Sequence, residues 1–162
     1  MIDGRQEMVR FELNGVPVEI GVVMDEPLSQ VLRRLGEATV RESCAVGLCG
    51  CCTALVDGKS VSTCLYWAVM ADGTHVETLD GLGSDQRVAA LQGSIAERGA
   101  AQCGYCTPGM VLTALELFDA GPQSTQEIAA HMNGNLCRCA CYPEMTCAIK
   151  DALMTAGDGS AT

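Results

Sequence analysis

Five of the eleven cysteines of this chain lie in one segment, SCAVGLCGCCTALVDGKSVSTC, which spans Ser43–Cys64. In it, Cys44, Cys49 and Cys52 have the spacing C-x4-C-x2-C, and Cys64 follows after eleven more residues. A loop with this spacing brings three sulfur atoms to one point within nine residues, and the fourth sulfur closes the group from the side. Four thiols placed in this way indicate a metal-ligand set.

The spacing is typical of plant-type proteins that bind a [2Fe–2S] cluster. Such a loop must turn backbone N–H groups toward the sulfurs, and Gly47 and Gly50 permit the positive φ angles and close approach that this requires. Zinc sites with four cysteines usually contain two CxxC pairs, whereas the first gap here has four residues. We therefore predict an iron–sulfur cluster rather than zinc. Cys51 is interpreted as a small packed residue beside the cluster, with a spare ligand as the alternative.

A second cysteine set lies in the C-terminal half of the chain. Cys103 and Cys106 form a CxxC pair, and Cys137 and Cys139 form a CxC pair after thirty intervening residues. An isolated CxxC at a helix start is also typical of a thioredoxin-like redox pair. No βαβ pattern accompanies it here, and a second pair is available to complete four thiolates, so the sequence predicts a second cluster. Cys141 makes the pattern C-x-C-x-C, which leaves the choice of the second pair open from spacing alone.

Three further residues belong to the description of this second set. Gly104 and Gly134 lie beside the two pairs, and we expect them to let the backbone approach the cluster. Cys147 falls within a helical pattern and is interpreted as a small core or surface residue.

The hydrophobic period changes from 2 to 3.6 along the chain, which indicates a sheet-forming part followed by a helical part. The first part is predicted to contain one helix, Leu28–Leu35, and the strands Val9–Leu13, Val16–Val23, Thr53–Val56, Ser60–Thr63 and Thr74–Leu79, with hairpin turns at Asn14-Gly15 and Asp57-Gly58-Lys59. The second part is predicted to contain the helices Val88–Arg98, Pro108–Ala120, Thr125–Met132 and Glu144–Ala156. With Asp80–Asp85 as a linker, we predict an α+β fold with domains at 1–80 and 81–157 and a disordered tail at 158–162.

The composition argues against several classes of protein. The formal net charge is −10 and no Lys/Arg cluster interrupts it, which argues against nucleic-acid binding. The apolar runs fall short of the roughly 20 residues that a membrane span needs, and Met1–Arg10 contains no apolar secretion signal. We therefore expect a cytoplasmic protein, in which thiols stay reduced and can ligate metal. Since only 4% of the residues are aromatic, we expect the clusters to supplement a thin core.

The two cysteine sets together resemble the small iron–sulfur subunit of the molybdenum hydroxylases, the xanthine oxidase family. The resemblance covers residues 8–155 and rests on Ser43–Cys64, AQCGYCTPGM (Ala101–Met110) and NGNLCRC (Asn133–Cys139). It implies an N-terminal β-grasp plant-type ferredoxin domain, followed by an all-α four-helix-bundle domain with the second [2Fe–2S] cluster. It also selects Cys137 and Cys139 as the second ligand pair.

The resemblance further implies an electron-transfer subunit of a multi-subunit hydroxylase or dehydrogenase. Single electrons would pass from the molybdopterin site of a large subunit through the helical-domain cluster and then the ferredoxin-domain cluster, toward FAD in a medium subunit or another acceptor. Gln102 and Cys139 would touch the pterin. This chain would turn over no substrate by itself, and the substrate is not encoded in its sequence. A free-standing two-cluster ferredoxin-type carrier is the alternative.

The chain departs from the family pattern at two places. Ala140-Cys141-Tyr142 stands where Thr-Gly-Tyr is usual, and Cys51 replaces a small residue that is usually not a thiol. If position 141 has a positive φ angle, a cysteine there costs about 1 kcal/mol. Neither departure removes a predicted ligand.

Overall fold

A mixed five-stranded sheet forms the first half of the molecule. The computed structural model describes residues 6–121 and 123–158. Its strands are β1 (Glu7–Leu13), β2 (Val16–Val22), β3 (Thr53–Val56), β4 (Lys59–Ser62) and β5 (His75–Glu77). Their order across the sheet is β2-β1-β5-β3-β4, with β1 and β5 parallel and the other neighbours antiparallel. The last strand in sequence therefore joins the two hairpins.

Both hairpins close through turns whose two central residues have left-handed backbone angles. The φ angles are 52° and 81° at Asn14 and Gly15, and 49° and 76° at Asp57 and Gly58. Two consecutive residues with positive φ make a type I′ turn, whose twist matches that of the strands on either side. The hairpins β1–β2 and β3–β4 are thus confirmed where the Asn-Gly and Asp-Gly pairs predict them.

One helix, α1 (Leu28–Arg34), packs on this sheet. Its apolar positions Leu28, Val31 and Leu32 recur at the helical period and are fully buried. They lie in one core with inward-facing residues of the strands, including Phe11 of β1. The loop that leads from α1 to β3 carries the first cysteine set.

Four helices make up the rest of the described chain. They are α2 (Gln86–Glu97), α3 (Thr107–Leu115), α4 (Thr125–His131) and α5 (Tyr142–Asp158). Each contributes at least one fully buried aliphatic side chain to a second core, namely Leu91, Leu112, Ile128 and Ile149. Helix α3 is shorter than predicted, because residues 116–120 form turns instead of continuing it to Ala120.

The sheet and the five helices give an α+β fold, as predicted. The β-grasp topology, the four-helix bundle and the division at residue 80 stay predictions. Helix α5 ends at Asp158, and residues 159–162 of the predicted tail lie outside the described residues. Among the helices of the described ranges, none combines the length and the apolar character that a membrane crossing requires.

Candidate iron-sulfur sites

The first cysteine set lies on the loop before β3 and on the turn after β4. Cys49, Cys52 and Cys64 are buried, and Cys44 is half-buried. The thiols contact each other in two pairs, Cys44 with Cys49 and Cys52 with Cys64, and the charge of Cys44 makes a small contribution to the raised pKa of Cys64. The four predicted ligands are therefore brought together as two neighbouring pairs.

Backbone N–H groups of this loop point at its sulfurs. The nitrogens of Val46 and Leu48 lie 3.5 and 3.4 Å from the Cys44 sulfur, and the Gly47 N–H donates to Cys64. The Val46 N–H is the main reason that the pKa of Cys44 falls to about 6. Burial raises the pKa of Cys64 to about 11, so a thiolate at that position needs a cation beside it.

The second cysteine set is assembled from two separate segments, the start of α3 and the stretch before α5. The sulfurs of Cys103 and Cys139 are 3.6 Å apart, and the Cys106 thiol contacts the Cys137 thiol. Cys106 is buried, Cys103 is exposed, and the other two are half-buried. Burial raises the pKa of Cys106 to about 12. These four predicted ligands also form two neighbouring pairs.

Hydrogen-bond donors surround the second set as well. The Tyr105 N–H donates to Cys103 and lowers the pKa of that thiol. The N–H groups of Cys139 and Ala140 donate to the Cys137 sulfur. Inward-facing amides of this kind stabilise anionic sulfur in iron–sulfur proteins.

Thr107 provides a further sign that a ligand belongs at the second site. Its hydroxyl oxygen is buried and has no hydrogen-bond partner within residues 6–121 and 123–158, and it directly follows Cys106. A cluster sulfur would supply the missing acceptor. Gly104 has a φ of 71°, as expected of a residue in a tight CxxC loop. A Cβ at Gly104 or Gly134 would meet no protein atom within 4 Å, and the approach of either backbone to a cluster stays a prediction.

The arrangement in pairs matches the ligand set of a cluster with two irons. A structural zinc site places four ligands about 2.0–2.3 Å from a single ion. A [2Fe–2S] cluster instead needs two thiolates on each of two irons. Both cysteine sets fit that cluster.

The two sites are joined by direct backbone contact. The carbonyl of Cys49 accepts a hydrogen bond of 2.9 Å from the N–H of Leu136, the residue before Cys137. A Cβ at Gly109 of α3 would overlap the carbonyl oxygen of Gly50. Glycine is therefore required at position 109, because two backbones meet there. Cys49, a predicted ligand of the first set, is also hydrogen-bonded to the segment that carries Cys137 of the second set.

Arg41 braces the same junction from the side. Its guanidinium donates to the carbonyl oxygens of Gly104 and Tyr105, at 2.6 and 3.2 Å. It also lies over the Tyr105 ring, 5.5 Å from the centroid, and the Tyr105 hydroxyl donates to the Glu42 carbonyl at 2.9 Å. The CxxC loop of the second set is thus held by residues that precede the first set. No motif in the sequence indicates this role for Arg41.

Three cysteines lie outside the four pairs. Cys51 is buried, its thiol contacts Cys49, and burial raises its pKa to about 12. Cys141 is buried against Cys137, and burial raises its pKa as well. Cys147 is half-buried on α5. The positive φ angle of this segment lies at Ala140 (59°) rather than at Cys141, so the strain considered for Cys141 does not arise.

Gln102 and Cys139 lie at the same end of the second site. The Gln102 side chain is exposed, and its backbone N–H donates to the Cys141 sulfur. Cys139 is half-buried and pairs with the exposed Cys103. Their contact with a pterin stays a prediction.

Comparisons with known proteins agree with this geometry. A model described as "2Fe-2S iron-sulfur cluster binding domain" matches residues 11–79, and one described as "[2Fe-2S] binding domain" matches residues 78–150. The nicotinate dehydrogenase small FeS subunit of Eubacterium barkeri is 41% identical over 147 residues, which are 90% of this chain and 94% of that one. The xanthine dehydrogenase iron-sulfur-binding subunit of Escherichia coli O157:H7 is 37% identical over 150 residues, 91% and 94% of the two chains. This chain belongs to the small iron–sulfur subunit family of the molybdenum hydroxylases.

The solved structure of a family member has the same fold. A chain of quinoline 2-oxidoreductase from Pseudomonas putida 86 superposes with a TM-score of 0.87 at 36% identity, over 97% of this chain and 99% of that one. As a member of this family, the chain is the iron–sulfur subunit of an oxidoreductase complex and serves electron transfer. Its two matched domains support two [2Fe–2S] clusters.

Proposed function

We propose that this chain relays single electrons from a large molybdopterin-binding subunit toward FAD in a medium subunit or another acceptor. Each [2Fe–2S] cluster, when bound, takes up and releases one electron. The protein holds the two clusters at fixed positions and sets their surroundings. The observation that carries the proposal is the presence of two cysteine sets, each arranged as two thiol pairs.

The ligand assignment follows those pairs. We assign the first cluster to Cys44, Cys49, Cys52 and Cys64. We assign the second cluster to Cys103, Cys106, Cys137 and Cys139. The first belongs to a proposed β-grasp ferredoxin domain (1–80), and the second to a proposed four-helix domain (81–157).

The protein favours thiolate ligands and buries four of the eight. The loop amides of Val46 and Leu48 donate to Cys44, and the Tyr105 amide donates to Cys103. Hydrogen bonds to the charged form of a group stabilise that form. The ligands for which burial raises the pKa, such as Cys64, depend on the irons for their charge.

The exposed parts of the two sites suggest where the partners dock. At the second site Gln102 and Cys103 are exposed, and we place the molybdopterin-binding subunit there. At the first site three exposed apolar residues of the cysteine loop and the following turn, Val46, Leu48 and Leu65, suggest contact with the acceptor subunit. A cytoplasmic location is part of the proposal, because cysteines that ligate a cluster must stay reduced.

Electron paramagnetic resonance of the reduced full-length chain tests the proposal. We expect two distinct [2Fe–2S] signals, with about four irons and four acid-labile sulfides per chain. Cys106→Ser should remove one signal and about half of the iron, because it takes one thiolate from the second site. Cys147→Ser, a matched change at a cysteine outside both sets, should leave both signals intact. Co-purification of a molybdenum-containing subunit tests the partner.

Three outcomes would contradict the proposal. Zinc without sulfide would favour a structural metal site, and a single signal with one cluster's worth of iron would remove the second site. Loss of both signals in the Cys106→Ser variant, with the fold intact by circular dichroism, would show that the two ligand sets are not separate.

A further inference from the structure

Two cysteines that are not assigned as ligands occupy equivalent places, one at each site. Cys51 follows Cys49 by two residues, and its sulfur lies 3.9 Å from the Cys49 carbonyl oxygen. Cys141 follows Cys139 by two residues, and its sulfur lies 3.8 Å from the Cys139 carbonyl oxygen. Both side chains are buried, with 4% and 6% of their surface exposed. Each thiol therefore folds back toward a ligand residue of its own site.

Each of these thiols also touches a ligand sulfur. The Cys51 thiol contacts the Cys49 thiol, and the Cys141 thiol contacts the Cys137 thiol. Cys141 is held in place because its sulfur accepts the backbone N–H of Gln102. Cys51 is packed in the helical core together with Cys49. Both thiols are thus buried beside a ligand residue of their own site, with their sulfurs 3.9 and 3.8 Å from the carbonyl oxygens of Cys49 and Cys139.

A thiol at such a position has a choice of acceptors once the cluster is present. The S–H group is a weak donor, and a carbonyl oxygen is a neutral acceptor. A ligand thiolate is anionic, and hydrogen bonds to ionised acceptors are stronger than neutral ones. Donors to the sulfurs are among the factors that set the reduction potential of a cluster, since reduction adds negative charge that they stabilise.

We propose that Cys51 and Cys141 act as hydrogen-bond donors, Cys51 to the ligand sulfur of Cys49 and Cys141 to that of Cys137. Each thereby raises the reduction potential of the cluster at its own site. They are positioning residues and do not bind iron. The inference rests on the proposed function, since it presupposes two clusters. A packing role would depend on volume alone, and since alanine and serine have similar volumes, both variants would then shift the potential alike. A ligand role would require each cluster to be lost with the thiol.

Alanine and serine variants at both positions test the proposal in the full-length chain. Cys51→Ala should lower the midpoint potential of the first-site signal more than that of the second, and Cys141→Ala should do the reverse. Each variant is therefore the control for the other. Cys51→Ser and Cys141→Ser keep a donor and should stay closer to the unmodified protein. Cys147→Ala should shift neither potential.

The experiment measures the midpoint potential of each paramagnetic signal and the iron content of each variant. Cys106→Ser assigns the signals to their sites, because it should remove the second-site signal. The proposal is overturned if the alanine variants shift the potentials no more than Cys147→Ala does. It is also overturned if both the alanine and the serine variant at one position lose that site's iron, because the cysteine would then be a ligand or a structural requirement. Failure of the proposed function looks different, because the unmodified chain would then lack two signals.

Discussion

The two cysteine sets reach the same arrangement of paired thiols by different routes. The first is held by one loop and one turn within 44–64, and three of its four members are buried. The second joins segments around 103–106 and 137–139, which are separated by two helices, and one member is exposed. A site made by a single loop depends on local backbone angles. A site made by distant segments depends on how the helices pack and on contacts with the first loop.

The largest effect is expected at the point where the two sites share backbone contact. In Gly109→Ala the new Cβ would overlap the Gly50 carbonyl oxygen, and neither backbone can move freely. We expect a loss of about 3 kcal/mol in the free energy of unfolding, the upper range for overpacking. Both cluster signals should weaken, because Gly50 belongs to the first loop and Gly109 to the helix that follows Cys106. Chemical denaturation and paramagnetic resonance measure the two effects.

Gly93→Ala is the matched control, since it places the same side chain in another helix. A Cβ at Gly93 in α2 meets open space, so alanine should stabilise the helix by about 1 kcal/mol. If Gly109→Ala weakened the second signal alone, the contact would serve the second site only, and the first site would assemble independently of it.

The difference between the two sites also explains what the sequence could predict. Features fixed by neighbouring residues were predictable, such as the Asn14-Gly15 turn and the positive φ angles of Gly47 and Gly50. The parallel insertion of β5 beside β1 was not, because it depends on residues far apart in the chain. The early end of α3 was also missed, since the apolar pattern continues past Leu115 while the backbone turns.

Contacts at the candidate sites divide in the same way. The spacing of the cysteines together with the family resemblance predicted which residues would come together, but not that Cys103 pairs with Cys139 and Cys106 with Cys137. The hydrogen bonds of Arg41 to the CxxC loop could not be predicted either. An arginine beside a cysteine motif has no sequence pattern that distinguishes it from an ordinary surface arginine.

A smaller and more selective effect is expected from Arg41. Arg41→Gln removes the charge-assisted hydrogen bonds to the Gly104 and Tyr105 carbonyls, which should cost about 1–2 kcal/mol at this partly buried position. The second site should lose iron to a chelator faster than in the unmodified protein, while the first site changes little. The decay of each paramagnetic signal during chelation measures this difference.

Two further arginine variants sharpen the Arg41 test. Arg41→Lys keeps the charge but not the planar fork, and it should fall between the glutamine variant and the unmodified protein. Arg33→Gln removes an exposed arginine of α1 and should leave both decay rates unchanged. Equal acceleration at both sites in Arg41→Gln would mean that Arg41 supports the whole junction rather than the CxxC loop.

The smallest effect is expected from the cap of α4. This short helix lies in the chain between the CxxC segment and the CxC segment of the second site. The Ser124 hydroxyl accepts from the Glu127 N–H at 3.2 Å, and the Glu127 carboxylate accepts from the Ser124 N–H at 2.7 Å. Ser124→Ala should lower the free energy of unfolding by about 1 kcal/mol. Ser124→Thr retains the cap and should lose much less stability.

The effect of Ser124→Ala should also be local, because α4 belongs to the part of the chain that assembles the second site. Thermal loss of the second signal should begin at a lower temperature in this variant, with the first signal unchanged. A parallel shift of both signals would show that the helical part and the loop site unfold as one cooperative unit. The first site, made by one loop, and the second, made by distant segments, would then differ in geometry but not in stability.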